Sequence, residues 1–145
     1  MARIKLQMPG AFPFRTQIDV RITDLNYGNH LGNDSLLSII HEARERFLNH
    51  YGYSEMNIEG LGTMMADAVI IYKTQAYYGD QLTIEMAVAD VSKKSCDLYY
   101  RITKEKETVV ALCKTAIVFY DFKSQKPASI PDEFIKKIHG HKNHN

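Results

Sequence analysis

Between residues 24 and 33 the chain reads D-L-N-Y-G-N-H-L-G-N, and an amphipathic helical pattern follows at once. This stretch gathers the carboxylate of Asp24, the carboxamides of Asn26 and Asn29, the imidazole of His30, and Gly28 and Gly32. Imidazole is the side chain whose ordinary pKa suits proton transfer near neutral pH. The start of a helix exposes unpaired backbone N–H groups and partial positive charge. Proton-moving groups set beside such donors are the parts of an acyl-transfer or hydrolysis site. The same residues also suit a plain structural role, in which Asn and Gly supply turn conformations and Asn33 or Asp34 caps the helix.

The elements around this loop are read from periodicity. Phe14, Thr16, Ile18, Val20 and Ile22 alternate with polar residues, which predicts a half-buried strand. Leu36, Ile40, Ala43, Phe47 and Tyr51 recur at helical spacing, with Ser38, His41, Glu45 and Asn49 on another face. The pattern predicts a helix over 34–50, with Glu42 and Arg46 paired on its surface and Gly52 closing it. Strands follow: Met64 to Tyr78, apolar on both faces around Val69 to Tyr72, then Leu82 to Val88, Cys96 to Thr103 and Thr108 to Phe122. Gly79-Asp80, Ser92 to Lys94 and Lys104 to Glu107 read as the hairpin turns between them. Asp132 to Ile138 reads as a short terminal helix capped by Asp132, after a loop flanked by Pro127 and Pro131. Short turns demand antiparallel neighbours, and one long helix must cover a face of the sheet.

Composition narrows the function. The 145 residues are 45% hydrophobic and 24% charged, which predicts one globular domain over 1–145 rather than a disordered chain. A net charge of +1, with the basic residues scattered among acids, argues against a nucleic-acid-binding face. Cys96 and Cys113 form no C-x-x-C and read as buried free thiols of a reducing compartment. Met1 to Pro13 has no apolar signal core, and no apolar run reaches membrane-spanning length, so a cytoplasmic protein without membrane partners is expected. His139, His141 and His144 space as H-x-H-x-x-H, a pattern that suits a frayed tail better than a metal site.

Three stretches in this order resemble the hotdog-fold thioesterase superfamily, in its 4-hydroxybenzoyl-CoA-thioesterase-like branch. T-D-L-N-Y-G-N-H-L-G-N-D at 23–34 is similar to that branch's D-x-D-x-x-G-H-[hydrophobic]-N-N motif. H-E-A-R at 41–44 is similar to the E-x-A-R of its central helix. Tyr72, Ala76, Gly79, Asp80 and Leu82 match a Y-x-x-x-A-x-x-G-D-x-L pattern, and Y-D-F-K-S-Q-K-P-A-S-I-P at 120–131 is similar to the family's tail. The resemblance implies an α+β hotdog fold, a five-stranded antiparallel sheet wrapped around one long central helix. It implies an acyl-CoA or acyl-carrier-protein thioesterase, active as a homodimer or homotetramer, with neither metal nor organic cofactor.

On that resemblance the catalytic candidates are Asp24, Asn26 and His30. His30 would take the proton of an attacking water, Asp24 would orient it or act as base, and Asn26 would position water or the carbonyl. Backbone N–H groups of Gly32 and Asn33 would hold the oxyanion, and Lys73, Lys93, Lys94 and Lys114 could meet the phosphates of coenzyme A. The chain departs from the family at three places. Asn26 occupies the position of the usual catalytic Asp, Asn29 replaces the motif's Gly, and His41 replaces the Glu before A-R. A carboxamide is neutral and cannot be a general base. Plant acyl-carrier-protein thioesterases also combine Asp, Asn and His, as D-x-N-x-H, at a different spacing. Two other functions fit the same cleft: a catalytically silent acyl-CoA binder, which the Asn at 26 favours, and a hotdog hydratase or dehydratase using a His–Asp pair.

Overall fold

The structure, a computed structural model, describes residues 1–140. The elements run β1 (Phe14–Asp19), α1 (Asn33–His50), β2 (Gly62–Tyr72), β3 (Gln81–Ala89), β4 (Ser95–Lys104), β5 (Thr108–Asp121), β6 (Lys126–Pro127) and α2 (Asp132–Gly140). The sheet is antiparallel, in the order β1-β3-β4-β5-β2, with the two-residue β6 added beside β5. It curls around α1, as the hotdog fold requires.

The core lies between helix and sheet because both bury one face. Leu36, Ile40, Ala43 and Phe47 of α1 are 1% exposed or less, as are Leu82, Ile84 and Met86 of β3 and Leu98, Tyr100 and Ile102 of β4. Strand alternation and helical spacing therefore meet on one apolar layer. Gly52, at φ +84°, ends the helix: its N–H bonds Asn49 O at 3.0 Å while Tyr53 N–H returns to Leu48 O at 2.9 Å. Arg46 does more than pair with Glu42 (2.8 Å); it also donates to Thr16 Oγ1 and to Gln17 O, tying helix to β1. α2 begins at Asp132, with Pro131 O accepting the Phe134 N–H, and buries Phe134 against Phe119 and Tyr53.

Three expectations are corrected. The first strand stops at Asp19; Ile22 lies in a 3-10 turn over Ile22–Asp24 and is 65% exposed. The apolar run from Met64 to Tyr78 is not one strand, and Gly79-Asp80 is not a hairpin between neighbours. β2 ends at Tyr72, where the N–H groups of Lys73 and Thr74 converge on Val110 O and exhaust the pairing with β5. Residues 73–80 then form a turn that crosses to β3, whose neighbours are β1 and β4. β5 is central, as its two apolar faces suggest, whereas β2 is an edge.

Candidate active site

The loop before α1 folds on itself. Leu25 and Leu31 form an antiparallel bridge, and Asn26 N–H donates to His30 O at 2.8 Å. Asn26 Oδ1 accepts two backbone N–H groups inside the loop, Gly28 at 2.9 Å and His30 at 3.2 Å. Asn29 takes the left-handed conformation the turn needs (φ +65°), which Asn tolerates better than most residues. Asp24 is 4% exposed. Its carboxylate accepts the Arg21 backbone N–H at 2.8 Å and both Nε and Nη2 of the same guanidinium at 3.3 and 3.2 Å. Asp24 and Asn26 thus build the loop through their side-chain oxygens.

Asp24 also reaches the helix start, but through its backbone: Asp24 O accepts the Gly32 N–H at 2.9 Å. One of the two expected oxyanion donors is therefore already bonded. The helix's own ladder begins with Leu36 N–H on Gly32 O (3.1 Å), so the N–H groups of Asn33, Asp34 and Ser35 precede it and form the positive mouth of α1. Two side chains that sequence reasoning left out of the site stand here. Tyr72, at the end of β2, donates its phenol to Asn33 O at 3.1 Å. Burial raises its pKa, with further contributions from Cys113 and from the Asp34 carboxylate. Asp34 lies over Gly32 so closely that a Cβ there would stand 2.6 Å from Asp34 Oδ1.

His30 is half-buried at the side of this mouth, its ring met edge-on by Tyr77 with centroids 5.6 Å apart. Tyr77 belongs to the 73–80 turn, and Ala76 of that turn accepts the Leu31 N–H at 2.8 Å. Loop, helix mouth and turn are thus one assembly, which required the apolar run after Met64 to break at Tyr72.

The lysines are not brought together within one chain. Lys73 follows Tyr72, which pairs with Ala111, at the helix-mouth end of the sheet. Lys93 and Lys94 stand in the β3–β4 turn, where Lys94 O accepts the Phe119 N–H. Ala111 and Phe119 are about 26 Å apart along β5, at roughly 3.3 Å per residue. Lys114 is engaged elsewhere, with Asp67 at 2.9 Å. His141 and His144 lie outside the described residues, and among the described residues no cluster of three or more His, Cys, Asp or Glu could hold a metal ion. No described helix is long and apolar enough to cross a membrane.

A curled antiparallel sheet around one helix, with a polar loop at the helix mouth, defines a hotdog domain of thioesterase type. The chain belongs to the thioesterase-like superfamily, whose family model matches residues 20–138. It is 30% identical over 126 residues to the long-chain acyl-CoA thioesterase FadM of Escherichia coli, covering 86% of this chain and 96% of that protein. Among solved structures it is similar to Slr0204, a 1,4-dihydroxy-2-naphthoyl-CoA thioesterase from Synechocystis, with a TM-score of 0.81 at 22% identity over 91% of this chain and 98% of that one. It is also similar to SAV2348 from Staphylococcus aureus, solved in complex with CoA, with a TM-score of 0.81 at 17% identity over 97% of this chain and 90% of that one.

Proposed function

We propose that this protein hydrolyses acyl-CoA, or the corresponding acyl-carrier-protein thioester, to a free acid and a thiol, with His30 as the general base. The observation that carries the assignment is the division of labour in the loop. The Asp24 carboxylate is closed off by Arg21 and the Asn26 oxygen by two backbone N–H groups, whereas no protein hydrogen bond engages the His30 ring nitrogens among the described residues. His30 takes a proton as water attacks the thioester carbon. The carbonyl electrons move to oxygen, which the N–H groups at the start of α1, beginning with Asn33, stabilise. Collapse breaks the C–S bond, and the thiolate leaves with the proton returned by His30.

The site works in a homodimer. β2 is an unpaired edge of 11 residues with Met64 and Met65 nearly half exposed, a surface that soluble proteins cover. Antiparallel pairing of two β2 edges would lay the far end of one sheet beside the helix mouth of the other. Lys93 and Lys94 of a second copy then approach Lys73, which reconciles three lysines that one chain keeps apart. Buried free thiols suit the reducing cytoplasm as the place of work.

Thiol release from a panel of acyl-CoAs tests the reaction, with enoyl-CoA hydration as the control for the dehydratase class. His30→Gln keeps hydrogen-bonding capacity and removes the basic nitrogen, so kcat falls about 10²–10⁴-fold while acyl-CoA affinity changes little. A mutant within about twofold of wild type removes His30 from the mechanism. Asn26 favours a second reading, a binder without turnover; wild type that binds every acyl-CoA tested and releases no thiol would establish it. Sedimentation of a stable 16.6 kDa species at micromolar concentration would refute the dimer.

A further inference from the structure

Resting on the reading of His30 as base, a second device concerns what aims its ring. Loop side chains at a helix mouth rotate freely unless something walls them in, and a base displaced by about 1 Å can lose roughly 10²-fold in rate. The wall here is Tyr77, whose ring meets the imidazole at an interplanar angle of 77°. Tyr77 is 47% exposed, so core packing does not account for its place. Its turn does. The Tyr77 N–H donates to Asp80 Oδ2 at 2.9 Å and its phenol to Gln75 Oε1 at 3.3 Å. Ala76, 1% exposed, anchors the turn in the core beside the loop.

A single cation from another strand closes this arrangement. Lys104, at the end of β4, donates Nζ to Gln75 O at 2.8 Å, lies 3.9 Å from Asp80 Oδ2, and stands 5.2 Å from the centre of the Tyr77 ring. The last distance is within the roughly 6 Å range of a cation–π contact. Its side chain is only 15% exposed, although Lys104 begins what the sequence shows as a charged turn. One ammonium therefore grips the turn at a carbonyl, a carboxylate and a ring. We propose that Tyr77 is a positioning residue that holds the His30 ring in its working orientation, and that Lys104 holds Tyr77 there. Both act through His30.

The test measures kcat and KM for thiol release by Tyr77→Leu, Tyr77→Phe, Lys104→Met and His30→Gln, with the double variant Tyr77→Leu/His30→Gln. Tyr77→Phe retains the ring and stays within about threefold of wild type. Tyr77→Leu keeps apolar bulk without the flat edge, and kcat falls about 10–10²-fold with KM nearly unchanged. Lys104→Met falls less, because the turn loosens but the ring remains. The His30 ring signals in an NMR spectrum move in Tyr77→Leu and hold in Tyr77→Phe, a readout that needs no turnover. Because Tyr77 acts through His30, the double variant is no slower than His30→Gln alone. Wild-type kcat in Tyr77→Leu while His30→Gln is slow overturns the positioning role. So does a double variant slower than His30→Gln, or a loss confined to KM. Wild-type kcat in His30→Gln itself overturns the base assignment beneath it instead.

Discussion

Replacing Tyr100 by Phe and Thr115 by Val, singly and together, probes the polar pair under the centre of α1. Tyr100 of β4 and Thr115 of β5 are 0% and 1% exposed. Tyr100 is opposite Cys113 in the register, so Thr115 is its diagonal neighbour on the same inner face. The two hydroxyls are 2.7 Å apart, and Arg44 Nη1 donates to Tyr100 Oη at 3.3 Å. Burial alone would lower the Arg44 pKa, but Tyr100 and Glu55 outweigh it and raise it. Leaving a buried donor or acceptor unpaired costs about 1–3 kcal/mol. Tyr100→Phe orphans the Thr115 hydroxyl and one arm of Arg44, but Arg44 keeps Glu55 at 2.9 Å. A cost of about 2 kcal/mol follows. Thr115→Val leaves Tyr100 with the longer Arg44 bond only, for about 1.5 kcal/mol. The double variant removes both hydroxyls, so its cost falls short of the sum by about 1 kcal/mol. At about 2–4 °C per kcal/mol for a domain of this size, Tyr100→Phe lowers Tm by about 4–8 °C. Urea unfolding of the four proteins at one protomer concentration measures the cycle. Costs that add within about 0.3 kcal/mol would refute the coupling.

Asn26→Asp keeps an oxygen where Oδ1 accepts the N–H groups of Gly28 and His30, so the loop survives and gains a carboxylate where the motif that this loop resembles has one. Turnover should rise, by at most about the 10²-fold that a positioned base contributes; loss of turnover with an unchanged circular dichroism spectrum would show that the carboxamide itself is required. Burial pushes the thiols of Cys96 and Cys113 up from 9.0 to about 12. The folded state therefore holds two protons that the unfolded chain releases, a contribution fully present below pH 9 and lost as pH rises toward 12. Stability should fall through that window, with a shallower fall in Cys96→Ala/Cys113→Ala, and iodoacetamide should not label the native protein at pH 8; equal slopes or ready labelling would contradict this.

Most of the fold was legible because it rests on periods that a one-dimensional chain displays. Phe14 to Val20, Leu82 to Val88 and Cys96 to Thr103 alternate because one face meets α1 and the other does not, and α1 repeats at its own period for the same reason. The run from Met64 to Tyr78 carried no such record. Apolar residues on both faces do not say where pairing stops, and the stop is set by a partner 38 residues away, where Val110 O receives the N–H groups of Lys73 and Thr74. The site was legible in its residue types and not in their roles. Asp24 and Asn26 have oxygens equally able to serve water or backbone, and only the fold shows that Arg21, Gly28 and His30 N–H engage them. Tyr77 was hidden for a different reason: it reaches His30 across 47 residues of sequence, inside the misread strand.

The departure at position 26 has a structural logic. A loop that presents a base must fix its own backbone, and this one fixes it with side-chain oxygens at both ends, Asp24 outside the bridge and Asn26 within it. An Asp at 26 bonded to the same two N–H groups would hold its charge more tightly and be a weaker base for it. With Asn there, the turn is kept without a charge beside the ring, and the proposed base is the imidazole that follows. That choice shifts the burden of orientation from the loop to its neighbour. A carboxylate fixed by two backbone N–H groups is aimed by them, but an imidazole on a free ring must be aimed by what stands against it. In the proposed arrangement the Tyr77 edge, from the turn whose Ala76 O accepts the loop's Leu31 N–H, and the Lys104 grip, from the end of β4, supply that constraint.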